Sequence, residues 1–306
     1  MKQKLTIGID LGGSLVKAGL VAPNGDVLSR LMEPSRVKGR YEAVIAQLVD
    51  VATRLRHEAQ APPSAIGLGV AGLLDANRRR VLATPNCPAL IGGSIADDLS
   101  AAVGLPVTMD NDANLMALGE GATGAARERR HYVAITLGTG VGGAVISDGR
   151  LIRGWRGGGG ELGHIPIAER GPKCGCGARG CLEAFIGQAG IERYIKRRIP
   201  WQKGVSLKEL NLLARQGNQD AAALFAYIGR TLAVALAGFV NLFNPELIVI
   251  GGGVAEAGEL LFRPLEEELH RRAFKIYLDG LTVRPAQLGN WAGVVGAGWI
   301  SHGETK

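Results

Sequence analysis

The chain has 306 residues, 46% of them hydrophobic and 21% charged, with 46 glycines and a formal net charge of +7. This length suffices for one or two domains with a buried core, and the composition excludes a collagen-like chain (the glycines have no three-residue period) and a disulfide-framed one, since there are only four cysteines. The positive balance favours anionic ligands, from nucleotides to nucleic acid, but runs such as Arg78 to Arg80, Arg127 to Arg130 and Arg193 to Arg198 lack interleaved aromatics and read as solvated faces.

The opening residues reach Asp10 too early for a signal peptide, which makes cytoplasm the expected location. Leu5, Ile7, Ile9 and Leu11 alternate, predicting a strand that ends in Asp10-Leu-Gly12-Gly13-Ser14. Val16 to Val21 and Val27 to Met32 read as two further strands joined by the turn Pro23-Asn-Gly-Asp26. Between Tyr41 and Glu58 the apolar residues fall on one helical face. Ile66 to Leu74 reads as a buried strand, residues from Ser94 to about Val103 as a helix, and Val107 to Asp110 as a strand that delivers Asn111-Asp112-Ala-Asn114.

A second round then begins. Tyr132 to Leu137 reads as a strand running into a glycine turn, Gly138-Thr139-Gly140-Val-Gly-Gly143, followed by strands at Ala144 to Ser147 and Leu151-Ile152. The order strand, glycine turn, strand, turn, strand repeats the first round and predicts two related α/β halves around a central cleft. Helices are expected at Leu182 to Arg198, Ser206 to Gln216, Asp220 to Phe243, Gly258 to Phe274 and from about Trp291 to Ile300, with strands at Leu247 to Ile250 and near Leu281 to Val283. The apolar stretch Thr231 to Phe243 is too short to span a bilayer and reads as a buried helix, so no membrane partner is expected. The expected division is an N-terminal domain, 1–112, completed by a C-terminal helix at 291–306, and a larger domain, 113–290.

Glycine turns that follow strands let backbone amides approach phosphate oxygens. Gly12-Gly13, Gly138 to Gly143 and Gly251 to Gly253 all follow strands, though neither a Walker A motif nor the spaced dinucleotide fingerprint occurs. Asp10 stands where a carboxylate could hold Mg²⁺ against phosphates, or serve as a turn acid. Phosphoryl transfer to an alcohol needs a carboxylate beside the attacking hydroxyl, and Asp112 at a strand end is the candidate base. Asn111 offers a donor and an acceptor to a neighbouring hydroxyl. The competing reading is that Asn111-Asp112 simply caps a helix.

Three of the four cysteines, Cys174, Cys176 and Cys181, lie close together, with His164 upstream. Three thiolates and an imidazole complete a tetrahedral shell for a structural Zn²⁺, which would order a glycine-rich segment; a redox pair or three core cysteines are the alternatives. His164 has a second ring nitrogen to present to a ligand. Glu161 and Glu183 bracket the shell, as acceptors for sugar hydroxyls or as support for the metal site. Cys87 reads as a small buried residue.

Together these stretches resemble the ROK group of bacterial sugar kinases and repressors. Gly8-Ile-Asp-Leu-Gly-Gly-Ser-Leu-Val-Lys17 is similar to the group's first phosphate motif, Asp110-Asn-Asp-Ala-Asn114 to its catalytic segment, and Leu137-Gly-Thr-Gly-Val-Gly-Gly143 to its second phosphate motif. Gly160-Glu-Leu-Gly-His164 and Cys174-Gly-Cys-Gly-Ala-Arg-Gly-Cys-Leu-Glu183 match its sugar and zinc motifs, in the same order. The resemblance implies an actin-like/hexokinase-like ATPase fold and ATP-dependent phosphorylation of a hexose, with glucose ahead of N-acetylglucosamine, N-acetylmannosamine, fructose and allose. It implies Asp112 as base; Asn111, Asp112, Glu161, His164 and Glu183 as sugar contacts; and His164, Cys174, Cys176 and Cys181 as zinc ligands. Asp10, Gly12, Gly13, Ser14, Lys17, Gly138, Thr139, Gly140, Gly252 and Gly253 are the implied ATP and Mg²⁺ residues, and a homodimer is the implied assembly. Ser14 replaces the group's usual threonine but keeps the hydroxyl, and Pro85-Asn-Cys-Pro88 departs from its usual sugar-loop pattern. The group's repressors carry a helix-turn-helix ahead of the first phosphate motif. With that motif beginning at Gly8, a kinase without nucleic-acid partners is expected over a regulator.

Overall fold

The computed structural model describes residues 4–84, 87–200 and 204–301. They fall into two compact units. The first comprises Met1–Glu128, Leu151–Gly160 and Gln287–Lys306; the second comprises Arg129–Arg150 and Glu161–Ala286.

The first unit is built on β1 (Thr6–Leu11), β2 (Leu15–Val21), β3 (Val27–Pro34), β4 (Ile66–Val70) and β7 (Val107–Asn111). They form one sheet in the order β3-β2-β1-β4-β7, with β2 antiparallel and β4 parallel to β1. Alternation decides what each face does. Ile7, Ile9, Leu11, Ile66, Leu68 and Val70 join the core under α1 (Tyr41–Glu58) and α2 (Ile95–Val103). Helix α1 has no side-chain N-cap bond, so packing holds it. Val44, Leu48, Val51 and Leu55 are fully buried, at about 1.5–3 kcal/mol each.

The opposite face meets α9 (Ala292–Ile300) at backbone distance. A Cβ at Gly67 would lie 1.7 Å from the Ala297 carbonyl oxygen, so glycine is required there. Helix α9 also packs on α3 (Asp112–Thr123), as Gly296 shows: a Cβ there would lie 1.8 Å from the Leu115 oxygen.

The second unit repeats the topology, in the order β10-β9-β8-β11-β12. Here β8 is Tyr132–Leu137, β9 Val141–Ser147, β10 Arg150–Leu151, β11 Leu247–Gly251 and β12 Thr282–Pro285. Strand β9 is antiparallel and β11 parallel to β8, as β2 and β4 are to β1. Its core is covered by α4 (Leu182–Ile186), α5 (Gln188–Arg198), α6 (Leu207–Arg215), α7 (Gln219–Phe243) and α8 (Glu259–Arg272). Helix α7 is long and apolar enough to cross a membrane, but 61% of its most apolar window is buried in the protein. It reads as a core helix.

The structure corrects the expected elements in four places. The segment from Ile66 to Leu74 is not one strand: Gly72, at φ 134°, turns the chain, and β5 (Leu73–Leu74) pairs with β6 (Val81–Ala83) in a separate two-stranded sheet. The second glycine turn spans only Gly138 to Gly140, because Val141, Gly142 and Gly143 pair in register with Leu137, Thr136 and Ile135. The helix expected over Leu182 to Arg198 divides at Gly187 into α4 and α5. The expected boundary after residue 112 moves to 128, because α3 packs on α9, and Leu151–Gly160 returns to the first unit. The departure from the sugar-loop pattern at Pro85-Asn86 and the helix expected beyond 301 lie outside the described residues.

Candidate functional site

In the first unit the phosphate candidates sit at the β1–β2 turn. Gly12 N–H donates to the Leu15 oxygen at 3.0 Å and closes the turn, leaving Ser14 exposed. Asp10 and Lys17 are register partners across β1 and β2, with Lys17 Nζ 3.7 Å from Asp10 Oδ2. Burial pushes the Asp10 carboxyl above its ordinary value, and the lysine only partly opposes this. A half-buried carboxylate whose burial outweighs its one lysine partner fits a cation-binding role.

Asn111 ends β7 and caps α3. Its Oδ1 accepts from Ala113 N–H at 2.9 Å and Asn114 N–H at 3.3 Å, while Nδ2 donates to the Gly72 oxygen at 3.1 Å. The capping reading is therefore realised, and the same bonds orient the amide. Asp112 opens α3, with Oδ1 accepting from Ala113 N–H at 2.9 Å. It is half-buried, and the N-terminal turn of a helix favours negative charge there.

In the second unit, Gly138 N–H donates to the Gly140 oxygen at 3.0 Å, and Thr139 is exposed at the tip. Gly252, at φ 86°, crosses the end of β8: a Cβ would lie 2.1 Å from the Leu137 oxygen. The 138–140 turn and the start of the 253–257 3₁₀ turn are thereby brought side by side.

His164 closes a short 3₁₀ turn begun after Glu161, whose oxygen accepts from His164 N–H at 3.0 Å. The ligand atoms of His164, Cys174, Cys176 and Cys181 all lie within 4.8 Å of one another. Cys174 Sγ is 3.5 Å from His164 Nδ1, and the Cys176 and Cys181 sulfurs are 3.7 Å apart. A tetrahedral zinc with Zn–S of about 2.3 Å and Zn–N of about 2.05 Å requires edges of about 3.8 and 3.6 Å, which these two separations match, and three thiols with an imidazole are the donor chemistry zinc takes. Burial pushes the Cys174 thiol up to about 12, whereas a backbone hydrogen bond from Ala178 lowers that of Cys176.

Glu183, in the first turn of α4, links this cluster to the glycine turn. Oε2 accepts from Val141 N–H at 3.0 Å, while Oε1 lies 3.7 Å from Cys174 Sγ and 4.0 Å from His164 Nδ1. Glu161 is exposed.

Sequence reasoning missed the groups around Asp110. Arg78 and Arg153 both donate to its carboxylate, and so does Asn114. The available signal was an acid following the alternating Val107 and Met109 at the end of a strand. By sequence Arg78 to Arg80 read as a solvated face, whereas Arg78 turns inward to Asp110.

Two sheets of matching topology, each with a glycine turn after its first strand, define an actin-like/hexokinase-like ATPase fold. The sequence pattern of the ROK family matches residues 6–304, and the chain belongs to that family. It is 35% identical over 306 residues to the glucokinase of Thermotoga maritima, covering 96% of each chain. Among solved structures it is similar to the ROK family glucokinase of Streptomyces griseus in complex with glucose and AMPPNP, at TM-score 0.87 and 33% identity, covering 97% of this chain and 99% of that one. The ROK hexokinase of Thermus thermophilus is similar at TM-score 0.83 and 37% identity, covering 97% and 98%.

Proposed function

We propose that this protein is an ATP-dependent hexose kinase that transfers the γ-phosphoryl group to the 6-hydroxyl of glucose. The observation that carries the reading is the pair Asn111-Asp112 at the head of α3, in a chain that aligns almost end to end with glucokinases. Asp112 accepts the proton of the sugar hydroxyl as its oxygen attacks phosphorus. Asn111, its amide oriented by the helix cap and by Gly72, offers its second Nδ2 hydrogen to a sugar hydroxyl. His164 turns Nδ1 towards the thiolates and so presents Nε2 to the sugar. Glu161 and Glu183 accept further sugar hydroxyls.

The turns at Gly12 to Ser14 and Gly138 to Gly140, with Gly252 and Gly253, bind the nucleotide through backbone amides, and Lys17 adds charge. Asp10 would hold Mg²⁺, which when bound draws charge from the phosphate oxygens. His164, Cys174, Cys176 and Cys181 would hold a structural zinc that orders the segment carrying the sugar contacts. A homodimer belongs to the same reading, and light scattering on the purified chain tests it.

The test is ADP release from MgATP with glucose, N-acetylglucosamine, N-acetylmannosamine, fructose and allose. Glucose is expected to give the highest kcat/KM. Turnover confined to another sugar would replace glucose, and no ADP release on any would overturn the kinase reading. Asp112→Asn is expected to abolish turnover while calorimetry still detects glucose binding.

A further inference from the structure

Asp110 lies one residue before the end of β7 and is 2% exposed. Its Oδ1 accepts from Asn111 N–H at 2.8 Å and Asn114 Nδ2 at 2.9 Å. Its Oδ2 accepts from Arg153 at 2.6 Å (NH2) and 3.2 Å (Nε), and from Arg78 at 3.2 Å. A carboxylate has about four acceptor positions, so these donors saturate it.

The donors come from three separate stretches of the first unit. Arg78 stands on the β5–β6 turn, which Asp75 builds: Oδ1 accepts from Arg79 and Arg80 N–H at 2.7 and 2.8 Å, and the Asp75 carbonyl accepts from Arg78 N–H at 2.8 Å. Arg78 itself has φ 55°, a left-handed backbone that a non-glycine residue keeps only where its surroundings over-determine it. Arg153 roots the glycine-rich loop: its carbonyl accepts from Gly159 N–H at 2.8 Å. Asn111 and Asn114 flank Asp112 on both sides.

One guanidinium would neutralise Asp110. The Arg78 and Arg153 side chains keep 29% and 18% of their surface in solvent. What the second arginine adds is another segment of chain.

We propose that Asp110, Arg78 and Arg153 form a positioning set for phosphoryl transfer, which sets the angle at which Asn111 and Asp112 leave β7 and enter α3. None of the three touches the reacting atoms in this account; they act through Asp112. The proposal rests on the reading of Asp112 as the base. A misplacement of about 1 Å at such a group costs on the order of 100-fold in rate.

Four variants test it in the ADP-release assay: Arg153→Met, Arg153→Lys, Asp110→Asn and the double variant Asp110→Asn/Arg153→Met. Arg153→Met is expected to lower kcat by about 10- to 100-fold with KM for MgATP within about twofold, because the loss falls on the chemical step. Arg153→Lys, which keeps the charge on Asp110, should recover part of that loss. The double variant should be no slower than Asp110→Asn alone, since both act through one contact. If Asp110→Asn fails to fold, the Arg153 pair still decides, through the kcat-to-KM split and the lysine rescue.

A wild-type kcat in Arg153→Met, a loss confined to KM, or the absence of lysine rescue would overturn the proposal. Asp112→Asn, run alongside, separates the two readings. If it is inactive while Arg153→Met is normal, only the positioning set fails; if Asp112→Asn retains turnover, the base assignment fails and takes this proposal with it.

Discussion

Glu120 offers the sharpest test of how the first unit is held together. It lies on α3, is fully buried, and among the described residues binds only backbone groups: Oε2 accepts from Ala125 N–H at 2.7 Å and Gln287 N–H at 3.1 Å, and Oε1 accepts from Leu288 N–H at 2.8 Å. One carboxylate thus ties the end of α3 to the chain leading into α9. In Glu120→Gln the amide oxygen can stand at one of these positions only. Placed at Oε2 it keeps two donors and points its NH2 at Leu288 N–H; placed at Oε1 it keeps one and opposes two. The better flip still leaves one buried donor facing another, at about 1–3 kcal/mol, and replaces two charge-assisted bonds by neutral ones at roughly 0.5–1 kcal/mol each. The expected loss is about 2–5 kcal/mol, and Glu120→Ala should lose more because all three donors are orphaned. Against a total stability of about 5–15 kcal/mol, such losses are readable as a fall in urea midpoint at unchanged m. Because Glu120 lies two turns from Asp112, kcat per folded molecule should stay near wild type. A loss below about 0.5 kcal/mol for Glu120→Gln would refute the reasoning, since it would mean the donors find other partners.

Two further predictions concern the charged sites. The Asp10 pKa is raised in the folded state, so its stability contribution is complete below the unfolded value of 3.8 and is lost as pH rises through the folded one. Asp10→Asn should therefore melt higher than wild type at pH 7–8 without ligand, with the gap closing towards pH 4, and should lose turnover; a gap that does not vary with pH would contradict the assignment. Chelation of zinc should lower the melting temperature and glucose turnover together, with zinc restoring both; a site held at about 100 times its Kd contributes about 2.7 kcal/mol. Finding no zinc in the purified protein by elemental analysis would remove the basis for that expectation.

Much of the fold was legible because local periodicity encodes burial. The alternation of Ile7, Ile9 and Leu11 and the stripe of Val44, Leu48, Val51 and Leu55 each face one core, and both elements appear where the pattern places them. The donor set was legible because three cysteines close in sequence can reach one ion without help from the rest of the chain. The break at Gly72 was not, since an apolar run reads as one strand until a partner strand, here β6, takes up its end. The division of the chain was misplaced for a similar reason: α3 follows β7 directly, yet its packing partner is α9, far along the chain.

The sequence by itself determined the α/β class, the repeated strand and glycine-turn order, the cysteine-histidine donors and the Asn111-Asp112 junction. Each of these is read from a short stretch of chain, without knowing what packs against it. Only the tertiary structure decided which groups partner Asp110 and Glu120. Their partners stand 32 and 43 residues away for Arg78 and Arg153, and 167 and 168 away for Gln287 and Leu288. A buried carboxylate must be paired, but nothing in its own stretch of chain says with what; that is settled when distant segments converge and the donors they bring happen to point inwards.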